Sequence, residues 1–235
     1  MRYPRVLLPA RSSEDWKLQL ASPEVQWKTG YSAKTLAKCW LEASNKPGGF
    51  PREIRVALQS AGTDALADAE MLLAIPECRV ALPGGSKGSQ SDIMVLARGR
   101  DGGLVTMVVE GKVGEGFGRT VSSHLASASA KWKSRLLFIC EKLGVNEQAV
   151  GDQPYQLLHR AVSAVLLARR FTAPTAVMAV HSFGSDNSHF DKYAAFVKLL
   201  VGRVSGLGEI TPGRLTSDVC LHLTWVRGDD RFLKA

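Results

Sequence analysis

Apolar positions change their spacing part-way along this chain, and that change divides it into a helical first part and a strand-containing remainder. The first 75 residues read as helical. "SAKTLAKCWLEA" places Leu36, Trp40 and Leu41 at helical spacing behind a Ser32 cap. "KPGGFPREIRVALQSAG" is a loop and then a helix, with Pro51 near its start and Gly62 past its end. "TDALADAEMLLAIPE" repeats the plan, with Thr63 or Asp64 as cap and Pro76 as stop. Short apolar runs follow, and "CRVALPGG", "DIMVLAR" and "LVTMVVEG" are predicted strands. The later segments "VSSHLASASAKWKSRLLFICEKLG" and "PYQLLHRAVSAVLLARRF" predict helices, and "TAVMAVHSF" a strand. A helix "HFDKYAAFVKLLVG" and a strand "DVCLHLTWV" close the chain, after a Gly- and Pro-rich loop over 202–214. The central order is α-β-β-β-α-β, which predicts an α/β fold: one mixed sheet with helices on its faces.

The hairpin in "SQSDIMVLARGRDGGLVTMVVEGKV" carries the chemistry. A turn over residues 100–102 makes Gly99 face Gly103, and the same register puts Asp92 across from Glu110. Directly opposed side chains have Cβ atoms about 4.5–5.5 Å apart, and two carboxylates that close repel unless a cation or proton lies between them. Lys112, two residues beyond Glu110, points to the same face. Paired carboxylates suit a hard divalent cation such as Mg²⁺ or Mn²⁺, and the lysine suits a water or phosphate oxygen. The competing reading is a strand end that leaves the core and carries solvated charge.

Composition narrows the class. The 235 residues suffice for one large domain or two small ones, and 45% hydrophobic with 22% charged residues is globular composition. A net charge of +8 favours a polyanionic partner. Cys39, Cys78, Cys140 and Cys220 form no CxxC pair, so reduced thiols are expected rather than a zinc or disulfide framework. No signal peptide and no apolar run of about 18 residues is found, so a soluble, cytoplasmic protein without a membrane span is expected.

Other motifs fail on context. "GGSKG" at 84–88 matches G-x-S-x-G, but a strand follows Ser86 where a nucleophile elbow needs a helix. Its glycines and Lys87 instead offer a loop to a phosphate backbone. "GEGFGRTV" is one residue short of a kinase glycine loop and no HRD or DFG stretch follows; it places Glu115 and Arg119 just after Lys112. The five histidines, His159 and His181 among them, lack ligand spacing and read as structural. The tryptophans lie in apolar patterns and read as core.

"SD" at 91–92, the apolar hairpin and "VVEGK" at 108–112 together resemble the PD-(D/E)XK nuclease superfamily. "LPGGSKGSQSD", "VEGKVGEGFG" and "YQLLHRAVSA" are similar to an uncharacterised bacterial family within it. Ser91 stands where the proline of the name would be. The resemblance implies a restriction-endonuclease-like αβββαβ core over roughly residues 64–182. It makes Asp92 the motif aspartate and Glu110-Gly111-Lys112 the (D/E)xK. It also implies a further acid before the hairpin, either Glu70 on the third predicted helix or Glu77, and a glutamine on the following helix, for which Gln156 stands ready. Gln156, Arg160 and Ser163 share a helix face by spacing.

The expectation is therefore an N-terminal helical extension (1–62) packed on a nuclease core (63–235). Asp92, Glu110 and Glu70 or Glu77 would hold Mg²⁺ or Mn²⁺, and Lys112 and Gln156 would serve the attacking water. Lys87, Ser89, Arg119 and Arg160 would contact nucleic acid, with DNA the first expectation. A homodimer stays open. The alternative is a catalytically inactive nucleic-acid-binding or assembly protein of the same fold.

Overall fold

The computed structural model describes residues 10–85, 88–184, 187–216 and 218–234; Ser86 and Lys87 lie outside these. Its centre is a six-stranded mixed sheet of β1 (Glu70–Val80), β2 (Ser89–Arg98), β3 (Leu104–Lys112), β4 (Thr175–Ser182), β5 (Arg214–Thr216) and β6 (Val219–Arg227). The strand order is β1-β2-β3-β4-β6-β5. The β1-β2-β3 meander is antiparallel, β4 runs parallel to β3, and β6 runs parallel to β4. The hairpin register is the expected one, with Ile93 paired to Val109, Arg98 to Leu104, and Gly99 N–H bonded to the Gly103 carbonyl at 2.9 Å.

Helices cover both faces. The helix α7 (Tyr155–Arg170) packs on β2, β3 and β4, flanked by α6 (Ala130–Leu143) and α8 (Phe190–Val201). Met94, Val108, Met178 and Val180 point into this side with Leu158, Val162 and Val165. The opposite residues Ile93, Val95, Met107, Val109 and Val177 face the N-terminal helices α3 (Ser32–Ser44) and α4 (Arg52–Ser60), through Leu36, Trp40 and Ile54. The period-2 alternation of each strand thus feeds two separate cores. The N-terminal helices share one of those cores directly. Trp16, Trp40 and Trp225 are core residues as expected.

Four boundaries differ from expectation. The third predicted helix does not form: residues 70–75 belong to β1, paired with β2 from Glu70 opposite Arg98 to Val80 opposite Ser89. A short apolar run fits either period, and pairing with β2 decides it. Pro76 is tolerated because β1 is an edge strand, where a missing N–H breaks no ladder. Ser32 opens α3 rather than capping it, since Tyr31 occupies the cap position. The predicted helix from Val121 is split into a short α5 (Val121–Leu125) and α6, because the Ser129 hydroxyl accepts from Trp132 N–H and starts a new helix. The loop over 202–214 ends in β5, which begins at Arg214. No helix among the described residues is long and apolar enough to cross a membrane.

Candidate functional site

The C-terminal end of β3 is where the chemistry collects. β3 is buried on both faces, so Glu110 and Lys112 emerge not into water but under α7, with 3% and 5% of their surface exposed. Strand alternation puts both on the α7 side, where Gln156 and Arg160, one turn apart, reach them. Lys112 Nζ donates to Glu110 Oε1 at 3.0 Å, to Gln156 Oε1 at 3.1 Å and to the Gly116 carbonyl at 3.3 Å. Gln156 Nε2 donates to Glu110 Oε1 at 2.6 Å, and Arg160 Nε to Glu110 Oε2 at 2.5 Å. Glu110 is therefore bonded on both oxygens. Burial alone would raise its pKa, but the charges of Arg160 and Lys112 hold it below the ordinary carboxylate value.

Asp92 lies within β2 just before Ile93, where the pairing of β2 with β3 ends, and the same register carried one step further sets it beside Glu110. Its Oδ2 accepts the Gly111 N–H at 2.7 Å, tying the aspartate to the middle of Glu110-Gly111-Lys112. Glu77 comes alongside from β1, between the pairs Pro76–Ile93 and Cys78–Ser91. Its backbone has φ 51, the left-handed region, and Gln90 Nε2 donates to its Oε2 at 2.6 Å. Burial and the neighbouring acids raise the proton affinity of Asp92 well above its usual value; burial with Glu110 nearby raises Glu77 to about 7. The strand end is thus polarised. Glu77 and Asp92 line a cavity of about 90 Å³ closed by Leu20, Gln26, Tyr31 and Ser32. On the α7 side a second cavity, about 490 Å³, is lined by Lys112, Arg119, Tyr155, Gln156, His159 and Arg160.

The expected residues fall into four groups. Glu110, Lys112, Gln156, Arg160 and Ser89 meet in one hydrogen-bonded network, Ser89 through its hydroxyl, which accepts from Arg160 Nη1 at 3.0 Å, and Asp92 and Glu77 line the small cavity beside it. Arg119 lines the larger cavity, its side chain donating to the Ser123 carbonyl. Glu70 is a correction: it begins β1 at the far end of the meander and pairs in solvent with Arg98. Its helical placement fails with the third predicted helix, leaving Glu77 as the acid beside Asp92. Lys87 lies outside the described residues.

Two residues of this site were not singled out for it in the sequence. His159, read as structural, faces the Ser89 hydroxyl at 2.9 Å and receives Arg160 Nη1 at 3.1 Å. Burial and the Arg160 charge lower its pKa to about 3, so it acts as a neutral acceptor that helps aim Arg160. Its spacing of three from Gln156 is the signal that was available. Tyr31, at the mouth of the acidic cavity, carried no such signal.

A family model described as a domain of unknown function, DUF6946, matches residues 9–230. The chain belongs to the DUF6946 family. The match spans the N-terminal helices, the sheet and every residue of the site, so the family's common unit includes the N-terminal helices that close the acidic cavity. Searches of curated proteins and of solved structures each found no match.

Proposed function

We propose that this protein is a divalent-metal-dependent phosphodiesterase acting on nucleic acid, DNA first, with a restriction-endonuclease-like core. The observation that carries the reading is the Asp92 carboxylate bonded to the backbone of Glu110-Gly111-Lys112, with Gln156 bridging Glu110 and Lys112. The meander followed by a strand parallel to its third member supports the core assignment.

Asp92 and Glu110, with Glu77, would hold the ion. The donor set fits a hard cation: Glu77 and Asp92 line one small cavity, and burial together with the charge of Glu110 raises the proton affinity of both. Bound there, an Mg²⁺ or Mn²⁺ ion supplies Lewis-acid polarisation of a phosphoryl oxygen. The chain's own part is positional. Glu110, Gln156 and the Gly116 carbonyl orient the Lys112 ammonium, which offers its protons to the attacking water or the phosphate. Arg160 and Arg119 give the larger cavity the positive charge that a phosphodiester backbone requires.

One observation favours the second reading, an inactive nucleic-acid-binding protein. Arg160 holds Glu110 toward α7, and Glu77, Asp92 and Glu110 do not form a three-ligand cluster of the tightness seen for Cys39, Glu53 and His181, whose donor atoms lie within 4.8 Å of one another. The experiment is incubation of the purified protein with plasmid, linear DNA and RNA in Mg²⁺, Mn²⁺ or chelator, beside Asp92→Ala. Metal-dependent cutting lost in Asp92→Ala supports the enzyme; salt-dependent binding without cutting under any metal replaces it with the binder.

A further inference from the structure

On the other face of the sheet a cleft of about 660 Å³ opens between α3, α4, the end of β6 and the turn around Phe232. That volume is in the range of small-molecule sites. At its floor lies Glu53, whose Oε1 receives His181 Nε2 at 2.7 Å and the Cys39 thiol at 4.0 Å. Cys39, Glu53 and His181 bring one donor atom each to within 4.8 Å, which by itself suggests a metal. The Trp40 indole argues otherwise. Trp40 Nε1–H donates to His181 Nδ1 at 3.1 Å, so that nitrogen carries the lone pair and the ring proton is on Nε2, directed at Glu53. A metal on Nε2 would move the proton to Nδ1, against another N–H, in a core where Trp40 is 2% and His181 0% exposed.

What the relay builds is a fixed carboxylate. Burial alone would raise the pKa of Glu53, but the His181 bond holds it below the ordinary value, so it stays anionic. Its side-chain hydrogen bonds, from His181 and Cys39, both fall on Oε1, and its own backbone N–H also bonds to the carboxylate. Around the cleft the other acids are taken: Glu42 by Lys46 and Arg231, Asp229 by Arg231. Arg227 pairs with Asp230. Arg52 and Arg55 of α4 make no salt bridge among the described residues. Phe50, Val56, Leu207 and Phe232 supply apolar wall. The occupant must therefore bring N–H donors to the floor, an anionic group to the rim and a body with apolar faces between them. Of the nucleobases, guanine presents two adjacent N–H donors on one edge, N1–H and the 2-amino group, and an acceptor-only carboxylate complements that edge.

We propose that this cleft is a second binding site, for a guanine nucleotide, with Glu53 reading the base and Arg52 and Arg55 meeting the phosphate. Calorimetry on the full chain with GMP, AMP and ZnCl₂ tests it. GMP should bind about tenfold or more tightly than AMP, and Glu53→Gln should remove that preference. Arg55→Ala, at an exposed position that leaves the core untouched, should weaken both nucleotides and keeps the test intact if Glu53→Gln misfolds. Equal binding of GMP and AMP, or unchanged binding in Glu53→Gln, overturns the proposal. So does GMP binding lost in Lys112→Ala but kept in Glu53→Gln, which puts the nucleotide in the other cavity. Zinc binding that disappears in Cys39→Ser would make the cluster a metal site instead.

Discussion

Glu77→Gln should stabilise the protein at alkaline pH and leave acid stability unchanged. In the fold the Glu77 carboxyl is mostly buried and near Glu110, and its pKa rises from 4.5 to about 7. A raised acid is protonated in both states below its unfolded pKa, where it costs nothing. Between about 4.5 and about 7 the unfolded chain has released the proton and the folded one has not, so stability falls as pH rises. Above the folded pKa the loss is complete. At about 1.36 kcal/mol for each pKa unit, its ceiling is about 3 kcal/mol. Glutamine keeps the shape and can still accept from Gln90, so the variant removes the charge and little else. Urea unfolding of both proteins at a series of pH values measures the difference, which cancels the other titrating groups. The two stabilities should converge below about pH 4 and separate by about 1–3 kcal/mol near about pH 8. A difference that stays flat across this range would show that Glu77 is solvated and that the acidic cavity is not closed.

Two further outcomes are expected. Lys112→Ala should leave Mn²⁺ binding intact, since an ammonium is no metal ligand, while single-turnover cutting of DNA falls on the order of a hundredfold; cutting at the wild-type rate would make Lys112 a mere structural partner of Glu110. Gly111→Ala should lower stability by about 1–3 kcal/mol, because an added Cβ would lie 3.0 Å from Leu36 Cδ2 and 3.4 Å from Asp92 Oδ2; thermal unfolding checks it, and an unchanged midpoint would mean the junction of α3 and β3 is loose.

The hairpin was the most legible part of the chain. Its turn glycines and the alternation of β2 and β3 specify one register, and a slip by one residue would expose the whole apolar set of either strand. The pairing of Asp92 with the Glu110-Gly111-Lys112 strand end follows from that register alone. The segment from Thr63 to Ile75 was misread because an apolar run of four or five residues satisfies either period, and no local residue says that β2 lies alongside to claim it.

The sequence by itself determined which side chains share a face: Glu110 with Lys112 by the period of a strand, Gln156 with Arg160 by the period of a helix. Only the tertiary structure decided that these two faces meet, so that one buried carboxylate holds a lysine, a glutamine and an arginine at once. It likewise decided that Glu77 and not Glu70 stands beside Asp92, and that Trp40, His181 and Glu53, distant in the chain, form a single relay. The physical reason is range. Periodicity acts over a few residues and is written in the local order of side chains, whereas burial, pKa and proton position depend on neighbours brought from elements far apart in sequence.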